Sequence, residues 1–170
     1  MWHFYMRKSA YLTVFALLLF AAADAAGQAK LPGQGADACT LVPKADIEQT
    51  LGVKLADGMK NPSLQTPGVV STCNYKISDG MVTIAIRHRP IKYEGTAAFN
   101  GKNVQQGHVA GLGRDALLTE TSAGEVSVVN LTIFRGDYDM ITVTVTGSIP
   151  VKPLSAAVEK LGRALLDSWK

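Results

Sequence analysis

The most constraining stretch of this 170-residue chain is Ile141-Thr142-Val143-Thr144-Val145-Thr146. Apolar and hydroxyl side chains alternate there with a period of two, the pattern of a strand with one buried and one wetter face. Ile141, Val143 and Val145 are expected inward, and the three threonines outward. The strand Tyr138–Thr146 follows Val126–Arg135 in a long hairpin around Gly136-Asp137. Val70–Ser78 and Met81–Arg89 read as a second hairpin around Asp79-Gly80, with Val82, Ile84, Ile86 and His88 on one face and Met81, Thr83, Ala85, Arg87 and Arg89 on the other. Ala116–Thr121 is a further strand, turned by Ser122-Ala123-Gly124. Val53–Leu64 reads as a weak edge strand broken by Asp57-Gly58 and Asn61-Pro62, and Lys102–Gly113 as a glycine-rich loop.

Helices flank these strands. Pro43–Leu51 is a short helix, opened by a proline that loses nothing at a first helical position and closed by Gly52. Tyr93–Asn100 is a candidate short helix. Pro153–Trp169 is amphipathic, with Leu154, Ala157, Val158, Leu161, Leu165 and Trp169 on one stripe. Its other face carries both signs of charge, which favours a core helix over a membrane-surface one. Hydrophobic residues make up 47% of the chain, enough to bury a core between these elements. The expectation is one α+β domain over residues 38–170: an antiparallel sheet of five or six strands packed by a short N-terminal helix and a C-terminal amphipathic helix.

The first 25 residues read as a secretory signal, with Arg7 and Lys8 before the apolar run Tyr11–Ala23 and Ala23-Asp24-Ala25 as the cleavage site. The run is about 13 residues, short of the roughly 20 that a membrane span requires. No stable membrane insertion is expected after cleavage, and residues 26–37 form a flexible lead-in. The mature domain is then exported, periplasmic or extracellular. In an oxidising compartment the two cysteines, Cys39 and Cys73, are expected to pair. There is no C-x-x-C and no histidine close in sequence to either cysteine, so a redox or nucleophilic thiol is disfavoured.

Cys39-x-Leu41-Val42-Pro43-x-Ala45-Asp46-Ile47-x-x-x-Leu51-Gly52, Cys73-x-Tyr75, Val109-x-Gly111-Leu112-Gly113-x-Asp115-Ala116 and Arg135-Gly136-Asp137 stand in this order. Together they resemble a broad group of small bacterial exported, lipoprotein-like proteins of unknown function whose fold is similar to the PsbP-like α-β-α sandwich. The resemblance covers most of residues 38–169. It implies that the cysteines tie the first helix to a strand, that Gly111 and Gly113 permit a tight turn and that Gly136 makes a hairpin. It implies no activity. Many of the group carry a lipobox; here no cysteine follows the apolar run closely, so tethering is not implied.

Candidate chemistry is sparse. His88 and His108 have no H-x-H or H-x-x-x-H spacing, and no G-x-S-x-G nucleophile elbow is present. Gly111-Leu112-Gly113-Arg114 lacks the strand–loop–helix context and the lysine of a phosphate loop. Asp137 and Asp139 flank a turn and read as solvated carboxylates rather than calcium ligands. No metal or cofactor is implied. Charge is the more informative feature. Arg87, Arg89, Lys92, Lys102 and Arg114 fall in a segment with one acid, Glu94; Asp115, Glu120, Glu125, Asp137 and Asp139 fall in the next with one base, Arg135. These segments either pair with each other or make a polarised surface that docks an acidic protein or an anionic ligand. On the second reading the binding surface is Arg87, Arg89, Lys92 and Arg114, with Tyr93 and Phe99 as apolar anchors or core. A net charge of +3 and export both argue against nucleic acid. The expected function is a non-enzymatic exported binding domain for an envelope protein or anionic ligand. The rivals are an inhibitor or immunity protein against a periplasmic toxin or hydrolase, and a hydrolase whose His88 or His108 meets a carboxylate and a hydroxyl.

Overall fold

A computed structural model describes residues 36–61, 68–88 and 104–169. The leader, most of the lead-in, the candidate helix Tyr93–Asn100, and Arg89 and Lys92 lie outside the described residues. Helix α1 (Lys44–Leu51) precedes strands β1 (Met59–Lys60), β2 (Val69–Ile77) and β3 (Gly80–His88). Strands β4 (Val104–His108), β5 (Asp115–Ala123), β6 (Val126–Phe134) and β7 (Asp139–Gly147) follow, then helix α2 (Val151–Ser168). All seven strands form one antiparallel sheet in the order β1-β2-β3-β7-β6-β5-β4. Among the described residues no helix is long and apolar enough to cross a membrane.

Seven strands correct the expected five or six. The additional one is β4, Val-Gln-Gln-Gly-His, which lies inside the segment read as a loop. An outermost strand with one apolar residue carries no alternation, so its pairing with β5 is invisible to periodicity. The weak edge strand expected over Val53–Leu64 shrinks to β1, two exposed residues paired with β2.

The sheet consists of two hairpin-connected runs, β1-β2-β3 and β4-β5-β6-β7, fused where β3 pairs with β7 from Gly80↔Gly147 to His88↔Asp139. This seam buries the pattern that opened the sequence reading. Ile141, Val143 and Val145 are fully buried between Ile86, Ile84 and Val82 of β3 and Ile133, Leu131 and Val129 of β6. Gly80 was expected to serve the turn, but Ser78 and Asp79 make that turn and Gly80 is the first residue of β3. A Cβ on Gly80 would lie 1.8 Å from the Thr146 carbonyl oxygen, so the seam itself requires glycine there.

Both helices lie on the Ile84/Val143 face. α2 places Leu154, Val158, Leu161 and Leu165 in the core, each at most 2% exposed. A Cβ on Gly162 would meet Leu131 and Ile133, which marks how closely α2 approaches β6. The helix begins at Val151, two residues before the expected Pro153; proline is tolerated there because a first-turn N–H has no intrahelical acceptor. α1 contributes Ile47 and Leu51 and packs against α2. On the opposite face Asn74, Thr83, Thr144, Asn130 and Thr119 form one cross-strand row. Thr83 donates to Asn74 and Asn130 donates to Thr144, so these polar groups satisfy one another.

The segment before α1 is pinned to β2 by the disulfide Cys39–Cys73, with Cα atoms 5.0 Å apart. Tyr75 Oη–H donates to the Cys39 carbonyl at 3.3 Å, and the Ala38 N–H donates to Ser71 Oγ at 3.0 Å. Asp37 accepts from the Cys39 N–H at 3.0 Å and pairs with Lys60 of β1 at 2.5 Å. The Lys60 hydrogen bond, helped by the Cys39 N–H, holds the Asp37 carboxyl below its ordinary 3.8 although burial pushes it upward. Burial and the Asp37 charge raise the Tyr75 hydroxyl above its ordinary 10.0.

Three outcomes are expected. Reducing the disulfide, or C39S/C73S, lowers stability in urea by about 3.8 kcal/mol on the chain-entropy model for its 34-residue separation. G80A lowers it by at least about 2 kcal/mol, because backbone atoms must move to admit the methyl. A carboxyl with a depressed folded pKa contributes stability above its unfolded pKa and loses that contribution as pH falls through the folded value. D37N therefore flattens the acid limb of the wild-type stability curve below about pH 4, read by thermal unfolding across that range.

Candidate functional site

Six strands have an end on one rim of the sheet, β2 starting there at Val69. β3 and β4 finish there at His88 and His108, β5 and β7 start there at Asp115 and Asp139, and β6 ends there at Phe134. The β6–β7 loop, Arg135-Gly136-Asp137-Tyr138, projects beyond it, and the Arg135 N–H donates to the Asp139 carbonyl at 2.9 Å. The rim collects most of the chemistry-bearing side chains singled out from sequence.

The seam sets its centre. His88 and Asp139 are register partners, and His88 Nδ1 lies 2.6 Å from Asp139 Oδ1, with the side chains 25% and 15% exposed. Tyr138 stacks on the imidazole at 5.8 Å between ring centres and is 52% exposed. A carboxylate on Nδ1 fixes ring orientation and favours the tautomer that leaves Nε2 as an acceptor. This group can therefore accept a proton or hydrogen bond from a ligand at Nε2 and offer the aromatic face of Tyr138 beside it.

A second histidine pair is more open. His108 Nδ1 sits 3.0 Å from Asp115 Oδ1, and the same oxygen accepts from the Ala116 N–H at 2.8 Å. His88 and His108 are four strand steps apart in the sheet order, on the order of 19 Å at the usual strand spacing, so they do not converge. Among the described residues no group of three or more His, Cys, Asp or Glu is placed to hold a metal ion.

Arg114 reaches the same rim from the β4–β5 loop and pairs with Asp137. Gly113 makes this possible. Its φ is +60°, and a Cβ would lie 2.5 Å from the Phe134 carbonyl oxygen, the atom to which the Arg114 N–H donates at 2.7 Å. Leu112 beside it is 1% exposed and anchors the turn in the core. The turn presents carbonyls to a cation rather than N–H groups to a phosphate: Arg163 of α2 donates to the carbonyls of Gly111 and Ala110 at 3.2 and 3.4 Å. Arg135 lies over the ring of Trp169, 5.1 Å from its centre, which joins the hairpin to the end of α2.

The four residues expected to make a basic surface are thus distributed. Arg114 is on the rim, ion-paired with a residue of the acidic segment. Arg87 is half-buried on β3, on the sheet face away from the helices. Arg89 and Lys92 are outside the described residues. Asp137 and Asp139, flanking one turn, go to different partners, Arg114 and His88. The His88–Asp139–Tyr138 group escaped the sequence reading because its members are joined by a strand pairing 51 residues apart. Its one local signal is that His88 and Asp139 end and begin strands of opposite direction.

No protein-family model matches the chain, and no curated protein matches it.

Y138A is expected to leave the far-ultraviolet circular dichroism unchanged, since the ring is half-exposed. It should shift the His88 ring resonances in an NMR spectrum, where stacking is read directly; unchanged resonances would contradict the stack.

Proposed function

We propose that the chain is an exported, non-enzymatic binding domain built as a PsbP-like sandwich, which recognises an envelope protein or an anionic ligand. The observation that supports this most is the rim. An exposed Tyr138 is held in place by His88 and Asp139, beside Arg114, on a hairpin braced against the Trp169 ring. Rigid aromatic and arginine side chains at a projecting edge are the residue types that dominate binding energy in protein interfaces. Export rests on the leader Arg7–Ala25, and a disulfide suits an oxidising compartment. An inhibitor or immunity protein is the form of this reading in which the hairpin plugs a partner's active site.

A hydrolase is the second reading, favoured by the His88–Asp139 pair with an acceptor nitrogen beside a phenol. One set of variants separates the two. On the binding reading, Y138A weakens capture of the partner from envelope extract roughly tenfold, and charge reversal at Arg87, Arg89, Lys92 and Arg114 weakens it further, with the fold intact by circular dichroism. Capture that survives both sets removes the binding reading. Hydrolysis of an ester or glycan substrate that is abolished by H88A establishes the hydrolase instead.

A further inference from the structure

We infer that the sheet face opposite the helices pairs with the same face of a second copy of this chain. The first observation is charge. Arg87, Met140, Phe134 and Asp115 form the row of this face nearest the rim. From that row to the far strand ends, β3, β7, β6 and β5 present threonine, asparagine, alanine, valine, leucine and methionine and no charged residue. Among the described residues the charges of this face stand at its border: Arg87 and Asp115 in the rim row, and Lys76 near the end of β2. Charge is not scarce elsewhere. Helix α2 alone carries Lys152, Glu159, Lys160, Arg163 and Asp167 on the other side of the sheet. Depletion of charge is the compositional mark of the buried centre of an interface.

The second observation is where the exposed apolar side chains fall. Met59, Met81 and Val126 are 62%, 45% and 42% exposed, and all three stand on this face. The register gathers them in its far half. Met59 shares a row with Asn74 and Thr83, Met81 lies across Thr146 from Val128, and Val126 is the next residue of β6 on the same face. Apolar side chains grouped on a face without charge mark a contact surface.

The same chemistry identifies the occupant. In a two-fold pairing a surface meets its own copy, so it must not repel itself. A patch of lysines or of aspartates fails that condition, and a patch of methyl groups meets it. The polar groups between them are hydroxyls and carboxamides, which both donate and accept, so each complements its own kind. Asn74, Thr83, Asn130 and Thr144 bond within their pairs and keep further donor and acceptor capacity. The area is also sufficient. Five strands about 4.8 Å apart and about 25 Å long give a footprint on the order of 600 Å², near the roughly 800 Å² that each partner contributes to a standard specific interface. Two sheets then stack about 10 Å apart with the helices outermost. This pairing goes beyond recognition at the rim and does not depend on it, since Tyr138 stands at the strand ends and not on the face.

The test is sedimentation velocity of the oxidised chain from micromolar to submillimolar concentration, with circular dichroism as the check on folding. Wild type should dimerise with rising concentration. M81K/V126K should dimerise at least about a hundredfold more weakly, because each lysine enters the interface twice and like charges brought together are strongly unfavourable. M81E/V126E alone should behave in the same way. Mixed in equal amounts, the two variants should recover association to within about tenfold of wild type, because each face now meets its opposite. Wild type that stays monomeric throughout overturns the pairing, gives the face to a different occupant and leaves the rim reading untouched. M81K/V126K that associates as wild type does also overturns it, and shows that another surface, the leader included, holds the copies together. Folded variants that stay apart when mixed overturn the face-to-face arrangement. Should either variant fail to fold, wild type decides alone. In a mixture of isotope-labelled and unlabelled chains, intermolecular NMR contacts at the Met81 and Val126 methyl groups support the pairing, and their absence overturns it.

Discussion

The pairing of β3 with β7 is the interaction on which the remaining structure depends. Every other strand contact joins strands that are consecutive in the chain. The seam alone brings residues 80–88 against residues 139–147. Without it the chain would form two small sheets, each with a long apolar edge strand open to further pairing. With it, one continuous apolar surface runs from Tyr75 through Val82, Val145 and Val129 and can accept both helices. Closing a loop of about fifty residues carries an entropic cost that grows slowly with length, and the fully buried Ile84–Val143 and Ile86–Ile141 pairs offset it.

The seam also makes the candidate site. It sets His88 beside Asp139 and lets Tyr138 stack on the imidazole. The disulfide works at the other side of the same sheet. It fixes the approach to α1 on β2, and Asp37, Lys60, Ser71 and Tyr75 gather around it. The Arg135–Trp169 contact and the Arg163 contacts to the Gly111 turn tie the C-terminal helix back to the rim. The hairpin tip is therefore held from below by strand pairing and from the side by α2. On the proposed binding reading, a tyrosine held in this way would lose little freedom on meeting a partner.

Much of this was legible in the residues. The alternation in β7, the helical stripe of α2, the caps of α1 and the cysteine pairing each depend on local chemistry, and each is found close to its expected place. β4 was not legible, because an outermost strand reading Gln-Gln-Gly carries no apolar period. The role of Gly80 was misread for a related reason. Asp-Gly is a turn signal, whereas the approach of the Thr146 carbonyl comes from a strand more than sixty residues away. The candidate site was legible only as parts. His88, Arg114, Asp137 and Asp139 were all singled out, but their partners are set by sheet order, which periodicity does not encode. The two blocks of opposite charge meet in part at Arg114 and Asp137, which binds the surface to itself at that point.

The most direct measurement is the set of cross-strand NMR contacts between β3 and β7 in the oxidised chain. The seam predicts contacts between Ala85 and Thr142 and between Arg87 and Met140 in the stated register. Contacts that place β3 at a sheet edge, or against β6, would contradict the fold and dismantle the rim with it.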